Sequence, residues 1–172
     1  MKKIIMAAVV AAFAASPALA QTVRMGTEGA YPPYNFINDK NEVDGFERHV
    51  GDELCKRAQL DCVWVVNDWD SIIPNLISGN YDTIIAGMSI TDERDKVIDF
   101  TQSYFPPSPS YYVGLSGSSV DVSKAVIAAQ VGTIQAGHVA GSGGTLVEFA
   151  TPEETIAAVR TGEAEAVLAE AE

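Results

Sequence analysis

The stretch Thr83-Ile84-Ile85-Ala86-Gly87-Met88-Ser89-Ile90-Thr91-Asp92-Glu93-Arg94 decides how this chain reads. Its first four residues are apolar or β-branched and predict a strand, which runs into a glycine. A serine, a threonine and an arginine follow within eight residues. Thr91 or Asp92 can cap a short helical turn carrying Arg94. The strand end offers backbone N–H groups and hydroxyls. Arg94 adds a planar fork of donors, suited to gripping a carboxylate with two hydrogen bonds. The plain alternative is a solvated turn on which Arg94 pairs with Asp92 or Asp95, a contact worth little.

Upstream, strand and helix patterns alternate. Val23-Arg24-Met25-Gly26-Thr27 predicts a strand ending in Glu28-Gly29-Ala30-Tyr31-Pro32-Pro33-Tyr34, an ordered loop held by Gly29 and two prolines. Residues 35–37 and 42–46 read as a hairpin. Glu47 to Ala58 reads as a helix with Val50 and Leu54 on its apolar face; His49, on the charged side, reads as solvated. Cys62 to Val66 is a near-continuous apolar run, expected as a strand covered on both faces. Asn67 to Ser71 caps a helix from Ile72 to Ser78, ended by Gly79-Asn80. Trp69, at that helix start, is either a core plug or a stacking platform, and its position favours neither.

The order strand, helix, strand, helix, strand predicts a parallel βαβαβ unit with right-handed crossovers. Ligands of such sheets bind beyond the carboxyl ends of the strands. Glu28 with Tyr31, Trp69, and Ser89 with Arg94 all follow strand ends, so they share one sheet edge. That convergence lifts Arg94 above a surface charge.

Downstream, Val97 to Thr101 predicts a short strand. Ser103 to Tyr112 holds three prolines and four aromatics and reads as a stiff, extended crossing between two lobes. Gly114 to Ser119 is a flexible turn. A smaller α/β pattern follows. Ala125 to Val131 is a strand, and Gly132-Thr133-Ile134-Gln135 opens a helix with donors at its N-terminus. No lysine lies between Gly132 and Gly144, so a phosphate-binding loop is not completed. His138 reads as a surface residue. Residues 141–144 read as a turn, and Leu146 to Phe149 as a strand. Thr151-Pro152-Glu153-Glu154 is a strong helix start, and Gly162 ends that helix. Ala166 to Ala169 is a strand expected at the uncovered end of an open half-sheet. The 58 residues from 115 onward are marginal for an independent core.

Lys2-Lys3, the 12-residue apolar run Ile4 to Ala15, Ser16-Pro17 and the small-x-small site Ala18-Leu19-Ala20 read as a secretory signal peptide cleaved after Ala20. The run is shorter than the roughly 20 residues a bilayer span needs. Loss of Lys2 and Lys3 takes the formal charge from -12 to -14. That balance offers no basic footprint for nucleic acid. Cys55 and Cys62, seven apart, favour a disulfide after export, and a metal site on two cysteines is not expected.

With these residues read, the chain resembles the periplasmic solute-binding proteins of polar amino-acid ABC transporters. It is most similar to the lysine/arginine/ornithine/histidine and opine binders. The resemblance rests on Gly26 to Pro33, Asp44-Gly45-Phe46-Glu47, Trp69 to Leu76, Met88 to Arg94 and Gln130 to Gln135, with the Cys55–Cys62 pair matching the family's disulfide loop. It implies an α/β fold of two parallel-sheet lobes joined by a hinge, the periplasmic-binding-protein type II fold. A signal peptide would span residues 1–20, lobe 1 residues 21–105, the crossing 106–114 and a partial lobe 2 residues 115–172. It further implies a monomer that closes on an amino acid, hands it to an inner-membrane permease, and needs no cofactor.

Carried over by motif, Arg94 grips the ligand carboxylate, helped by Ser89 and Thr133. Glu28 faces a cationic side chain sandwiched by Tyr31 and Trp69, and Gln135 contributes from the second lobe. A charge-assisted hydrogen bond is worth about 1.5–3 kcal/mol, and a desolvated cation over a ring up to about 2 kcal/mol. Glu170 stands where the family has an aspartate for the α-ammonium group. Ala86-Gly87 stand where some relatives carry serines, so fewer hydroxyls point at the ligand, and Gly87 is counted among the ligand-binding residues. Family members continue by several dozen residues, so this chain is expected to be a truncated product or partial sequence that binds weakly or not at all. The competing class is a periplasmic dehydratase of the same fold, acting on cyclic carboxylated precursors. It needs a general acid such as Glu28 or Glu170, and no serine–histidine pair or clear acid–base couple accompanies them.

Overall fold

The computed structural model describes residues 22–170; the expected signal peptide and its cleavage site lie outside them. Strand β1 (Val23–Thr27) leads into β2 (Ala30–Tyr31), β3 (Asn35–Ile37) and β4 (Val43–Asp44), then helix α1 (Phe46–Ala58). Strand β5 (Cys62–Val66), a 3₁₀ turn (Trp69–Ser71), α2 (Ile72–Ile77) and β6 (Thr83–Ile84) complete the first half. Then come β7 (Ser110–Gly114), β8 (Val126–Gln130), α3 (Ile134–Ser142), β9 (Thr145–Phe149), α4 (Pro152–Thr161) and β10 (Ala166–Glu170).

The first sheet has the order β5-β1-β6, all parallel, so the βαβαβ unit forms as its pattern predicts. Beside it, β2, β3 and β4 make a small antiparallel sheet. Close approach is built in: a side chain on Gly26 of β1 would lie 2.7 Å from the ring of Tyr81, itself 1 % exposed.

Helix α1 sits differently from its apolar pattern. Leu54 is 57 % exposed, while Glu47 and Gly51 face inward. A Cβ on Gly51 would lie 2.6 Å from the Trp64 ring, so the helix is pressed to the sheet along its glycine. Strand β5 is an edge strand and is not covered on both faces: Val63 and Val66 are exposed. Cys55 and Cys62 form the expected disulfide, pinning α1 to β5. Replacing both by serine is expected to lower the free energy of unfolding by about 2 kcal/mol, since the bridge restricts a short loop in the unfolded chain. An unchanged urea midpoint would count against that.

Residues 97–101 are not a strand. The amides of Val97 and Ile98 donate to the Arg94 carbonyl, so the turn consumes the donors a ladder would need. Ser110–Gly114, expected within the crossing, is a strand of the second sheet.

That second sheet has the order β7-β10-β8-β9, with β7 antiparallel and the rest parallel. Strand β10 is therefore interior, not at an uncovered end. Alternation along β8 fills both faces. Ile127 packs with Val139 of α3 and Leu168; its neighbour Ala128 packs with Ala158 and Val159 of α4 and with Val167. These residues give the second half a packed core on each face, more than its length suggests. Helix α4 begins with the expected capping box, the Thr151 side chain and Glu154 exchanging bonds with each other's backbone. Helix α3 runs through the expected turn to Ser142, and Gly143 ends it in the left-handed region.

Candidate functional site

The carboxyl ends of β1 and β5 and the continuation of β6 meet at one edge. Glu28 follows β1 directly and is 7 % exposed. Trp69 opens the 3₁₀ turn after β5 and is 9 % exposed. The Ile85 amide donates to the Gly26 carbonyl, carrying β6 forward to Ala86 and Gly87. Gly87 adopts φ +60°, a conformation that glycine reaches without Cβ strain.

The next turn is capped by Thr91, whose Oγ1 accepts from the Arg94 amide at 3.2 Å. Half-buried Arg94 then donates from Nη1 to the Ser89 carbonyl at 2.8 Å and from Nη2 to the Gly132 carbonyl at 3.1 Å. Its Cζ lies 5.5 Å from the Trp69 ring centroid, a cation–π contact. Among the described residues no ion pair within 4.0 Å involves Arg94, so neither Asp92 nor Asp95 neutralises it. Loss of hydration lowers its pKa.

The opposing wall comes from the second sheet. Thr133 caps α3, accepting from the Ala136 amide at 3.2 Å and donating to the Gln130 carbonyl at 2.7 Å. Gln135 donates to the Ser110 hydroxyl at 3.0 Å. Glu170 ends β10 and accepts from the Tyr31 hydroxyl at 3.0 Å, a bond between the two halves. Gln130 makes another: its Nε2 donates to Glu28 Oε1, and to the Ala150 carbonyl at 2.9 Å. Burial pushes the Glu28 carboxyl up to about 7; the Gln130 bond opposes this, and the nearby Asp68 and Glu47 add to it.

Between the walls lies a cleft of about 600 Å³ including its open mouth. Glu28, Tyr31, Trp69, Gly87, Ser89, Arg94, Thr133, Gln135 and Glu170, all nine residues named from the sequence, line it. Trp69 stacks against Arg94, and Tyr31 stacks on Tyr34 at 5.3 Å. Gln130 enters the sequence reading only as the first residue of a motif and has no site role there. It is the last residue of β8, and the strand-end rule that located Trp69 would also have found it. Glu47 enters the sequence reading as a helix start and the end of a motif, with no site role, yet it is 0 % exposed and its Oε1 accepts from the Gly87 amide at 2.6 Å. No local pattern marks a charged first-turn residue as buried. His49 and His138 are both exposed, as read. Among the described residues no group of three His, Cys, Asp or Glu side chains is placed to hold a metal ion.

One wall thus offers a guanidinium that no described carboxylate neutralises, while carboxyl groups stand on both sides of the same cleft. Two α/β units face each other across a cleft lined by groups of opposite charge type. The profile of the bacterial extracellular solute-binding proteins, family 3, matches residues 23–166, and the chain belongs to that family. It is 35% identical over 137 residues to the L-arginine-binding protein of Pseudomonas aeruginosa, covering 80% of this chain and 50% of that one. The chain therefore spans about half the length of the curated relatives it matches. It is 76% identical to a periplasmic His/Glu/Gln/Arg/opine family-binding protein from Silicibacter pomeroyi, solved in complex with lysine. That match has a TM-score of 0.83 and covers 86% of this chain and 67% of the other. An ancestral amino acid-binding protein, a precursor of cyclohexadienyl dehydratase, is 28% identical with a TM-score of 0.80, over 87% of this chain and 70% of the other.

Proposed function

We propose that this protein binds a basic amino acid, meaning arginine, lysine, ornithine, histidine or an opine, in the periplasm. It passes that ligand to the permease of an ABC transporter, acting as a monomer exported by a signal peptide cleaved after Ala20. The observation that carries this reading is Arg94: a half-buried guanidinium bonded to two backbone carbonyls and, among the described residues, to no carboxylate, in a cleft shared with Glu28 and Glu170. Arg94 takes the ligand carboxylate with Ser89 and Thr133 beside it. Glu170 takes the α-ammonium group. Glu28, oriented by Gln130, faces the cationic side chain between Tyr31 and Trp69, while the Gly87 backbone and Gln135 complete the walls. The lysine-bound relative and the arginine-binding relative support the ligand class.

Saturating arginine or lysine, at about 100 times Kd, stabilises the folded state by about 2.7 kcal/mol. In a domain of this size that raises the melting temperature by roughly 5–10 °C. The sequence alone leads to an expectation of weak or absent binding, but both walls lie within residues 22–170, so a thermal-shift titration taken to millimolar ligand is expected to register the ligand. No shift with any basic amino acid or opine would sink the reading. A dehydratase reading draws on one observation, the raised pKa of Glu28, and on the likeness to a dehydratase precursor. Turnover of a cyclohexadienyl acid, followed by the appearance of the aromatic product's absorbance, is the result that would favour it; binding without turnover is expected.

A further inference from the structure

Glu47 lies outside the ligand cleft, in an adjoining cavity that shares Tyr31, Gly87, Ser89 and Glu170 with it. Its carboxyl group is 0 % exposed and accepts from three elements at once. Oε2 accepts from Asn35 Nδ2 of β3 at 2.6 Å. Oε1 accepts from the Gly87 amide at 2.6 Å and from the Tyr104 hydroxyl. The Gly87 amide also reaches the Tyr104 oxygen at 3.3 Å. Asn35 in turn accepts from the Gly29 amide at 2.7 Å, one residue from Glu28.

The chain of bonds therefore runs from the loop behind Glu28, through Glu47, to the peptide plane at Gly87 and on to Tyr104. Tyr104 sits on the segment that leads to β7 and the second sheet. Gly87 has no side chain to hold it, and its φ of +60° leaves many alternatives open to a glycine. The carboxyl group of Glu47 is what removes that freedom. Because a peptide unit is planar, gripping the Gly87 N–H also fixes the Ala86 carbonyl, and both residues line the cleft.

We propose that Glu47 is a positioning residue for the binding site: it fixes the Ala86–Gly87 peptide and the Gly29 loop relative to each other and ties both to the crossing segment at Tyr104. The proposal rests on the ligand-binding reading for its functional consequence and on the hydrogen-bond chain for its structural one.

The polarity of the chain gives the test. Glu47→Gln sets an amide donor against the Asn35 donor, while Asn35→Asp in the same molecule restores a donor–acceptor pair and still accepts from Gly29. Lysine affinity by calorimetry is expected to fall about 10-fold or more in E47Q and to return to within about threefold of wild type in the double variant. Affinity in E47Q within twofold of wild type, or no recovery in the double variant, overturns the proposal. If wild type binds no amino acid, the functional reading fails and the structural claim is still decided. Exchange of the Gly87 amide in ligand-free protein is expected to speed about 10-fold in E47Q and to slow again in the double variant, with Ala128 as an unchanged reference. Equal Gly87 exchange in all three proteins overturns it.

Discussion

Arg94→Ala is expected to raise the Kd for lysine or arginine by about 100-fold or more, effectively abolishing saturable binding. Each hydrogen bond from a guanidinium to a carboxylate contributes about 1.5–3 kcal/mol, and a pair removed together corresponds to at least two decades in affinity. The loss is amplified because a ligand carboxylate then enters the cleft against Glu28 and Glu170 without a cation to receive it. Arg94→Lys keeps the charge but not the planar fork, and cannot meet the ligand carboxylate while also holding the Ser89 and Gly132 carbonyls. It is expected to bind at least about 10-fold more weakly than wild type. Calorimetry on both variants decides this, with melting temperatures to show that each remains folded. An alanine variant that binds within threefold of wild type would remove Arg94 from the site.

The second large effect is one of pH, and Glu28 carries it. Its carboxyl titrates at about 7 in the folded protein against 4.5 for an unperturbed glutamate, chiefly because it is buried. Between those values the folded protein holds a proton that the unfolded chain has released. The stabilisation from Glu28 is thus complete below about pH 4.5 and is lost as the pH rises through 7, to a total of about 3 kcal/mol. Glu28→Gln is expected to remove most of that decline, leaving the variant about 2–3 kcal/mol more stable than wild type at pH 8 and about equal to it at pH 4.5.

Ligand binding runs the other way. A cationic side chain beside Glu28 favours the ionised form, so the complex releases a proton at pH 6–7. Affinity for lysine is expected to fall about 30-fold from pH 8 to pH 5.5, and this dependence is expected to vanish in Glu28→Gln. Calorimetry in buffers of different ionisation enthalpy reads the released proton directly. A flat affinity between pH 5.5 and 8 would mean that Glu28 does not face the ligand's charge. On this account the site accepts a buried carboxyl that weakens the empty protein at neutral pH and is stabilised when a cation arrives.

The order of elements and the sheet edge were legible because hydrophobic periodicity and strand-end position are local properties. β1, β5 and the strand before Gly87 announce themselves by composition, and parallel pairing puts their carboxyl ends together. The caps at Thr91, Thr133 and Thr151 are local as well, since each side chain bonds an amide three residues on. The misread elements depend on neighbours. Residues 97–101 have a strand's composition but spend their first amides on a turn. β5 looks doubly covered, yet it is an edge. β10 looks like an open end until β7 folds back antiparallel beside it.

By itself, then, the chain determines two α/β units, a crossing between them, a disulfide and a set of polar residues at strand ends. Only the tertiary structure decides how those residues meet. Gln130 reaches Glu28 across 102 positions of sequence, Tyr31 reaches Glu170 across 139, and Glu47 holds Gly87 across 40. Such pairings are fixed by how the two sheets and helix α1 pack, and no local pattern encodes them. The same packing removes Glu28 from water, which is what moves its titration to about 7. The sequence supplies the charges, and the burial that sets their strength belongs to the fold.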